Sequence, residues 1–138
     1  MEPLNPPTRT VLIVEDTESC ATTLEIALGA IPRVDVRVTP TAQQALRVLE
    51  TTGCGVCALV TDLHLPVMDG FELIERVRSD RRTARLPIVV ISGDSDPQTP
   101  ERIHRLGADA YFPKPYSPAQ VRQKLEQLLD ANSPSYPP

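Results

Sequence analysis

The sequence predicts a three-layer α/β domain in which a five-stranded parallel sheet is doubly wound by helices. Three observations predict it. Short apolar runs rich in β-branched residues, VLIV and IVVI among them, lack polar alternation, as strands covered on both faces do. Between the runs lie segments whose apolar residues recur at helical spacing. The two kinds of segment alternate along the chain, which is the pattern of a parallel sheet with crossover helices.

Thr10 to Val14 reads as the first strand, and Cys20, Leu24, Leu28 and Ile31 mark the buried stripe of a helix after it. Val34 to Val38 is a second strand, and its polar Asp35 and Arg37 suit an edge. Ala42, Ala45, Leu46 and Leu49 form the next helical stripe, behind a capping box of Thr41 and Gln44. Val56 to Thr61 is the third strand. Asp69 and Glu72 make a second capping box, opening a helix that buries Phe71, Ile74 and Val77. Pro87 starts the fourth strand and IVVIS continues it, since proline is tolerated at a strand's first position. Pro97 and Pro100 cannot both lie deep in a helix, so the fourth helix begins near Thr99–Pro100 and ends at Gly107. Ala108 to Pro113 is a short fifth strand. Ser117 caps the last helix, with Pro118 in its first turn and Val121, Leu125, Leu128 and Leu129 facing inward.

Right-handed crossovers make the doubly wound arrangement the natural solution for this alternation, and the expected form is flavodoxin-like, with strand order 2-1-3-4-5. The expected domain spans residues 10–130, between disordered Pro-rich tails at 1–9 and 131–138. A chain of 138 residues holds one such domain with a real core. Its net charge of −4 argues against direct nucleic-acid binding, which wants a basic face. No apolar stretch approaches the ~20 residues of a membrane span. The start, MEPLNPPTRT, lacks a hydrophobic signal core, so a cytoplasmic location is expected. Cys54 and Cys57 form a C-x-x-C, but His64 and His104 are isolated and no second ligand pair exists. The cysteines read as small reduced hydrophobes. Arg76, Arg78, Arg81, Arg82 and Arg85 read as a solvated helix end interleaved with Asp80, and His104 as a surface residue.

In such sheets the functional crevice lies beyond the carboxyl ends of the strands, where the strand order reverses. Glu15 and Asp16 follow the first strand, Asp62 the third, Ser92 ends the fourth and Lys114 follows the fifth. A hard divalent cation, Mg²⁺ or Mn²⁺, takes oxygen ligands. Asp16 and Asp62 can each give one oxygen, a backbone carbonyl just after Asp62 a third, and Glu15 can act directly or through water. Without a cation, carboxylates this close repel, and at least one pKa should rise. Asp62 is then a candidate nucleophile toward phosphorus, forming an aspartyl-phosphate. Lys114 would balance one phosphoryl oxygen and Ser92 would donate a hydrogen bond to another.

These residues resemble those of the receiver domain of bacterial two-component response regulators, over about Thr10 to Leu129. The resemblance rests on the acidic pair Glu15–Asp16, on D-x-x-x-P-x-x-D-G (Asp62, Pro66, Asp69, Gly70), on Ser92–Gly93 and on Lys114–Pro115. Tyr111, three residues before the lysine, matches the family's switch aromatic. The resemblance implies that Asp62 accepts a phosphoryl group from a histidine kinase or a histidine phosphotransfer protein. It implies Mg²⁺ on Asp16, Asp62 and the backbone carbonyl of His64, with Glu15 assisting through water. It also implies a cis Lys114–Pro115 peptide, and inward movement of Ser92 followed by Tyr111. That movement would change the surface of the fourth helix, fifth strand and fifth helix toward an effector protein, or into a phosphorylation-dependent homodimer. His64 and Asp94 occupy positions that tune self-dephosphorylation in the family. Ala110 stands where the DNA-binding branch commonly carries an acidic residue.

A switch of this kind is not an enzyme beyond slow self-dephosphorylation. Three other readings stand beside it. A haloacid-dehalogenase-like phosphatase uses the same residue types, but needs a second Asp where this chain has His64. A flavodoxin-like electron carrier needs a phosphate-cradling loop where this chain has EDTESC. A pseudo-receiver, an interaction module working without phosphorylation, has the same fold.

Overall fold

The computed structural model of the chain describes residues 9–52 and 55–132. Five strands and five helices alternate: β1 (Arg9–Val14), α1 (Glu18–Gly29), β2 (Val34–Thr39), α2 (Ala42–Thr52), β3 (Val56–Asp62), α3 (Gly70–Ser79), β4 (Ile88–Ser92), α4 (Thr99–Leu106), β5 (Ala110–Pro113) and α5 (Pro118–Asn132). All strand pairs are parallel, in the order β2-β1-β3-β4-β5. The predicted topology is the observed one, and the order reverses between β1 and β3.

The unbroken apolar runs have a direct cause. Successive strand residues point to opposite faces, and both faces are covered. Leu12, Val14, Leu59, Ile88 and Val90 pack with Ala45, Leu49, Leu73, Ile74, Val77 and Ile103 from α2, α3 and α4. Val11, Ile13, Ala58, Val60, Val89 and Ile91 pack with Leu24, Leu28, Val121, Leu125 and Leu129 from α1 and α5. β2, with one neighbour, alternates between half-buried and exposed residues over most of its length, as its polar residues require.

The caps act through the expected oxygens. Thr41 Oγ1 accepts from the Gln44 N–H at 3.2 Å, Asp69 Oδ1 from Glu72 N–H at 2.9 Å, and Ser117 Oγ from Gln120 N–H at 3.3 Å. Glu72 does not reach back to its cap; its carboxylate takes the Arg76 guanidinium at 3.0 and 3.2 Å instead. In α1, Ala21 is buried and Cys20 only half-buried, and in α2 the buried stripe runs through Val48 rather than Leu46. Cys57 is half-buried on the α1–α5 side, where burial pushes its thiol pKa up. Cys54, and residues 1–8 and 133–138 of the expected tails, lie outside the described residues.

Strand β5 starts at Ala110, two residues later than the sequence suggests. The preceding residues serve α4. Gly107 ends it at φ 107°, and Ala108 N–H donates to the Ile103 carbonyl at 3.0 Å. Asp109 N–H then donates to the Ile88 carbonyl at 2.8 Å, and its carboxylate accepts from Ile88 N–H at 2.8 Å. Ile88 therefore begins β4, with Pro87 just outside it, although the Pro87 carbonyl still accepts from Leu59 N–H at 2.9 Å.

Arg78 corrects the reading of the basic stretch as a solvated end. Its Nε and Nη2 donate to the Gly107 carbonyl at 3.1 and 2.8 Å, and its Nη1 to the Thr83 and Ala84 carbonyls at 3.3 and 3.2 Å. Nη2 also meets Asp109 at 3.2 Å. One side chain thus ties the ends of α3 and α4 to the loop before β4. Arg78→Met is expected to destabilise the fold by about 2 kcal/mol, since it strands carbonyls that the guanidinium satisfies. Urea unfolding measures this, and an unchanged midpoint would show that water replaces the clamp.

Candidate functional site

The carboxyl ends of the central strands lie side by side. Val14 pairs with Thr61, Asp62 with Ile91, and Ser92 with Pro113. Residues that end or follow these strands therefore crowd one edge. Glu15 is 2% and Asp62 5% exposed, so both carboxylates are buried, whereas Asp16 stands exposed at the mouth. Glu15, Asp16 and Asp62 each offer an oxygen within 4.8 Å of the others.

Each oxygen of the buried acids has a donor. Asp62 Oδ1 accepts from the N–H groups of Leu63 and His64 at 2.6 and 3.1 Å, while Oδ2 accepts from Lys114 Nζ at 2.8 Å. Glu15 Oε2 accepts from Thr17 N–H at 3.0 Å, and Oε1 from Lys114 Nζ at 3.0 Å. One ammonium thus bridges two buried carboxylates. Burial works against its charge, but the bonds to Asp62 and Glu15 prevail and raise the Lys114 pKa above the ordinary lysine range. For Glu15 the balance goes the other way. Burial raises its pKa, and the Thr17 N–H and Lys114 offset only part of that.

The chain turns sharply beyond Asp62. Gly70 N–H donates to the Leu63 carbonyl at 2.8 Å and closes the loop between β3 and α3 against the strand end. On the other side, Lys114 N–H donates to the Ser92 carbonyl at 2.8 Å, and the Lys114–Pro115 peptide is cis, as expected. Ser92 is fully buried, and its hydroxyl accepts from Asp94 N–H at 3.0 Å. Tyr111 donates its hydroxyl to the Asp94 carbonyl at 3.5 Å. Burial raises the Tyr111 pKa, and the Asp94 and Asp62 charges add to that.

The structure thus brings Glu15, Asp62 and Lys114 into contact and sets Asp16 beside them. Ser92 and Tyr111 stand next door, joined to each other through Asp94. His64 gives its N–H to Asp62, while its ring turns outward to Asp94, with Nε2 3.4 Å from Oδ2. The Asp96 N–H, first, and then the Thr99 hydroxyl and His64 hold the Asp94 carboxyl below the usual range, against the effect of burial. That pairing was not read from the sequence. Its signal is the equal offset of the two residues, each two beyond the end of neighbouring parallel strands.

The sequence matches the family described as the response regulator receiver domain over residues 11–126. The chain belongs to that family. The receiver is 27% identical over 122 residues to the chemotaxis protein CheY1 of Helicobacter pylori, covering 88% of this chain and 98% of that protein. Its fold is similar to that of a CheY-like response regulator receiver domain protein from Methanospirillum hungatei JF-1, with TM-score 0.79, 25% identity, and 90% and 95% of the two chains covered. The signal receiver domain of a histidine kinase from Syntrophus aciditrophicus shares the fold at TM-score 0.83 and 23% identity, over 94% of this chain and 96% of that one. The protein is therefore a response-regulator receiver of two-component signalling. Among the described residues, no helix is long and apolar enough to cross a membrane.

Proposed function

We propose that the receiver is a phosphorylation switch in which Asp62 accepts a phosphoryl group from a phosphohistidine on a histidine kinase or phosphotransfer protein. The observation that carries this is the half-buried Lys114 ammonium shared between the buried carboxylates of Asp62 and Glu15. It places a fixed positive charge where a transferred phosphoryl group would sit.

The acid cluster suits Mg²⁺ or Mn²⁺. Its donors are hard oxygens, and one ammonium against three carboxylates leaves it negative. Glu15, Asp16, Asp62 and the His64 carbonyl would hold the ion, which when bound neutralises phosphoryl charge. The protein's own groups do the rest. Backbone N–H groups fix one Asp62 oxygen and so orient the carboxylate. A carboxylate oxygen forms the new O–P bond as the P–N bond to the donor imidazole breaks, and the imidazole leaves with that bond's electron pair. Lys114 stays protonated and pairs with the transferred group. Ser92, turning its hydroxyl to that group, would release Asp94 N–H and shift the acceptor of Tyr111. The surface of α4, β5 and α5 would then change toward an effector protein. Catalytic activity would be limited to slow self-dephosphorylation.

Intact mass after incubation with acetyl phosphate tests this reading. The expected result is one Mg²⁺-dependent phosphoryl adduct, absent in Asp62→Asn. No adduct, together with no binding of beryllofluoride as a stable phosphoryl mimic, would sink it in favour of an interaction module that works without phosphorylation.

A further inference from the structure

Val67 is an apolar valine with no shelter. It stands 94% exposed, and among the described residues the other exposed large hydrophobic is Ile26, at 72%. Ile26 lies two turns along α1, away from the sheet edge. Val67 lies in the loop that leaves Asp62. Its backbone has φ 69°, and around it the Met68 N–H donates to the Pro66 carbonyl at 2.8 Å. This is the three-residue turn in its positive-φ form, which is rare and strained. A β-branched side chain makes the strain worse, where glycine or asparagine would sit easily. Leu65 and Met68 on either side are anchored in the core, which over-determines the strained turn and holds the Val67 side chain out in water.

The position of the turn says what meets it. Gly70 packs on the Asp62 backbone and bonds to Leu63. Val67 is three residues from Gly70, so at ~3.5 Å per residue it lies within about 11 Å of that point. A protein donor must bring its phosphohistidine into bonding contact with Asp62. Even a transient partner covering about 600 Å² of this surface spans a disc of roughly 14 Å radius. A footprint centred on Asp62 includes the tip of this loop.

We infer that Val67 is a docking anchor for the phosphohistidine-bearing donor protein, inserting into a small apolar hollow beside the donor's histidine. The inference rests on Asp62 being the phosphoacceptor. Burying one valine side chain strengthens such an encounter about ten-fold or more. A small acyl phosphate has no surface to meet and gains nothing from Val67.

The test compares Val67→Gly and Val67→Thr with the wild-type chain, using two donors. One is acetyl phosphate. The other is an autophosphorylated histidine kinase of the same cell, chosen because it loads the wild-type chain. Val67→Gly relieves the turn and is expected to melt at higher temperature. It should label with acetyl phosphate within two-fold of wild type, yet lose about ten-fold in kcat/KM from the kinase, mainly through KM. Val67→Thr keeps the branched shape and the strained turn, and is expected to lose several-fold with the kinase alone. Unchanged kinase transfer in both variants would overturn the anchor. So would equal slowing with both donors, which would make the loop a support for Asp62. Loss in Val67→Gly but not in Val67→Thr would also overturn it, by assigning the effect to loop stiffness. Failure of acetyl phosphate to label even the wild-type chain would remove the phosphoacceptor reading itself, and the anchor with it.

Discussion

Gly70→Ala is expected to destabilise the protein by about 3 kcal/mol or more and to slow labelling of Asp62 far more than any surface change. A Cβ at Gly70 would collide with the Asp62 carbonyl oxygen, and would stand 2.7 Å from Leu63 Cα and 3.1 Å from the Asp62 carbonyl carbon. All three are backbone atoms, so no rotamer change makes room. The strand side cannot yield, because Asp62 pairs with Ile91 in the middle of the sheet. The helix side cannot yield without breaking the Gly70–Leu63 bond at 2.8 Å and lifting Phe71, Leu73 and Ile74 from the core. Relaxation would instead tilt the Asp62 carboxylate, whose orientation depends on the next two N–H groups. Gly29→Ala is the control, since nothing lies within 4 Å of its Cβ position. Urea midpoints and acetyl-phosphate labelling rates for both variants check the expectation. A Gly70→Ala protein with wild-type midpoint and rate would show that the loop yields freely.

The same Gly70 illustrates what a sequence can and cannot carry. That a glycine follows Asp69 in D-x-x-x-P-x-x-D-G was readable, and so was its place at the opening of α3. The reason for it, a backbone pressed on Asp62 from eight residues away, needs the loop closed in space. Elements whose signals are local came through well. The Gly107 helix end, the start of α4 at Thr99 and the three caps each depend on residues within one turn. Periodicity and alternation pointed to a doubly wound parallel sheet, and its observed strand order brings Glu15, Asp62 and Lys114 to one edge. The departures concern side chains long enough to choose among partners. Arg78 looked like one solvated arginine among several, yet it reaches carbonyls of Gly107, Thr83 and Ala84. Glu72 was read as half of a capping box and pairs with Arg76. Asp94 bonds to Ser92 and Asp96 within its own loop, but it also meets Tyr111 and His64, which only the neighbouring strands bring to it.

Lys114→Ala is expected to weaken the metal-free protein by about 2–3 kcal/mol near neutral pH, less than the loss of a fully buried partner because the lysine is partly exposed. The variant leaves Glu15 and Asp62 buried and close, with Asp16 beside them and no ammonium between. The pH dependence follows from Glu15. Its pKa is already raised from the ordinary 4.5 by burial, against the pull of the Thr17 N–H and Lys114. Removing Lys114 removes one of the groups that lower it, so it should rise further. An acid with a raised folded pKa holds its proton where the unfolded chain has lost it. The stability it contributes is therefore full below 4.5 and is lost as pH climbs through the folded value. Lys114, whose own folded pKa is raised, contributes at every pH below the ordinary lysine value of 10.5 and loses that contribution only above it. The Lys114 part of the gap between wild type and variant is thus constant over acid and neutral pH, and the Glu15 part widens the gap from about pH 4 toward about pH 7. Urea unfolding across that range without divalent ions measures the gap. A gap constant with pH would refute the account of Glu15, because it would mean that Lys114 does not hold the Glu15 pKa down. Mg²⁺ should then narrow it, since a cation among these carboxylates supplies the positive charge the variant lacks. Failure of Mg²⁺ to stabilise either protein would mean that Glu15, Asp16 and Asp62 do not hold the ion.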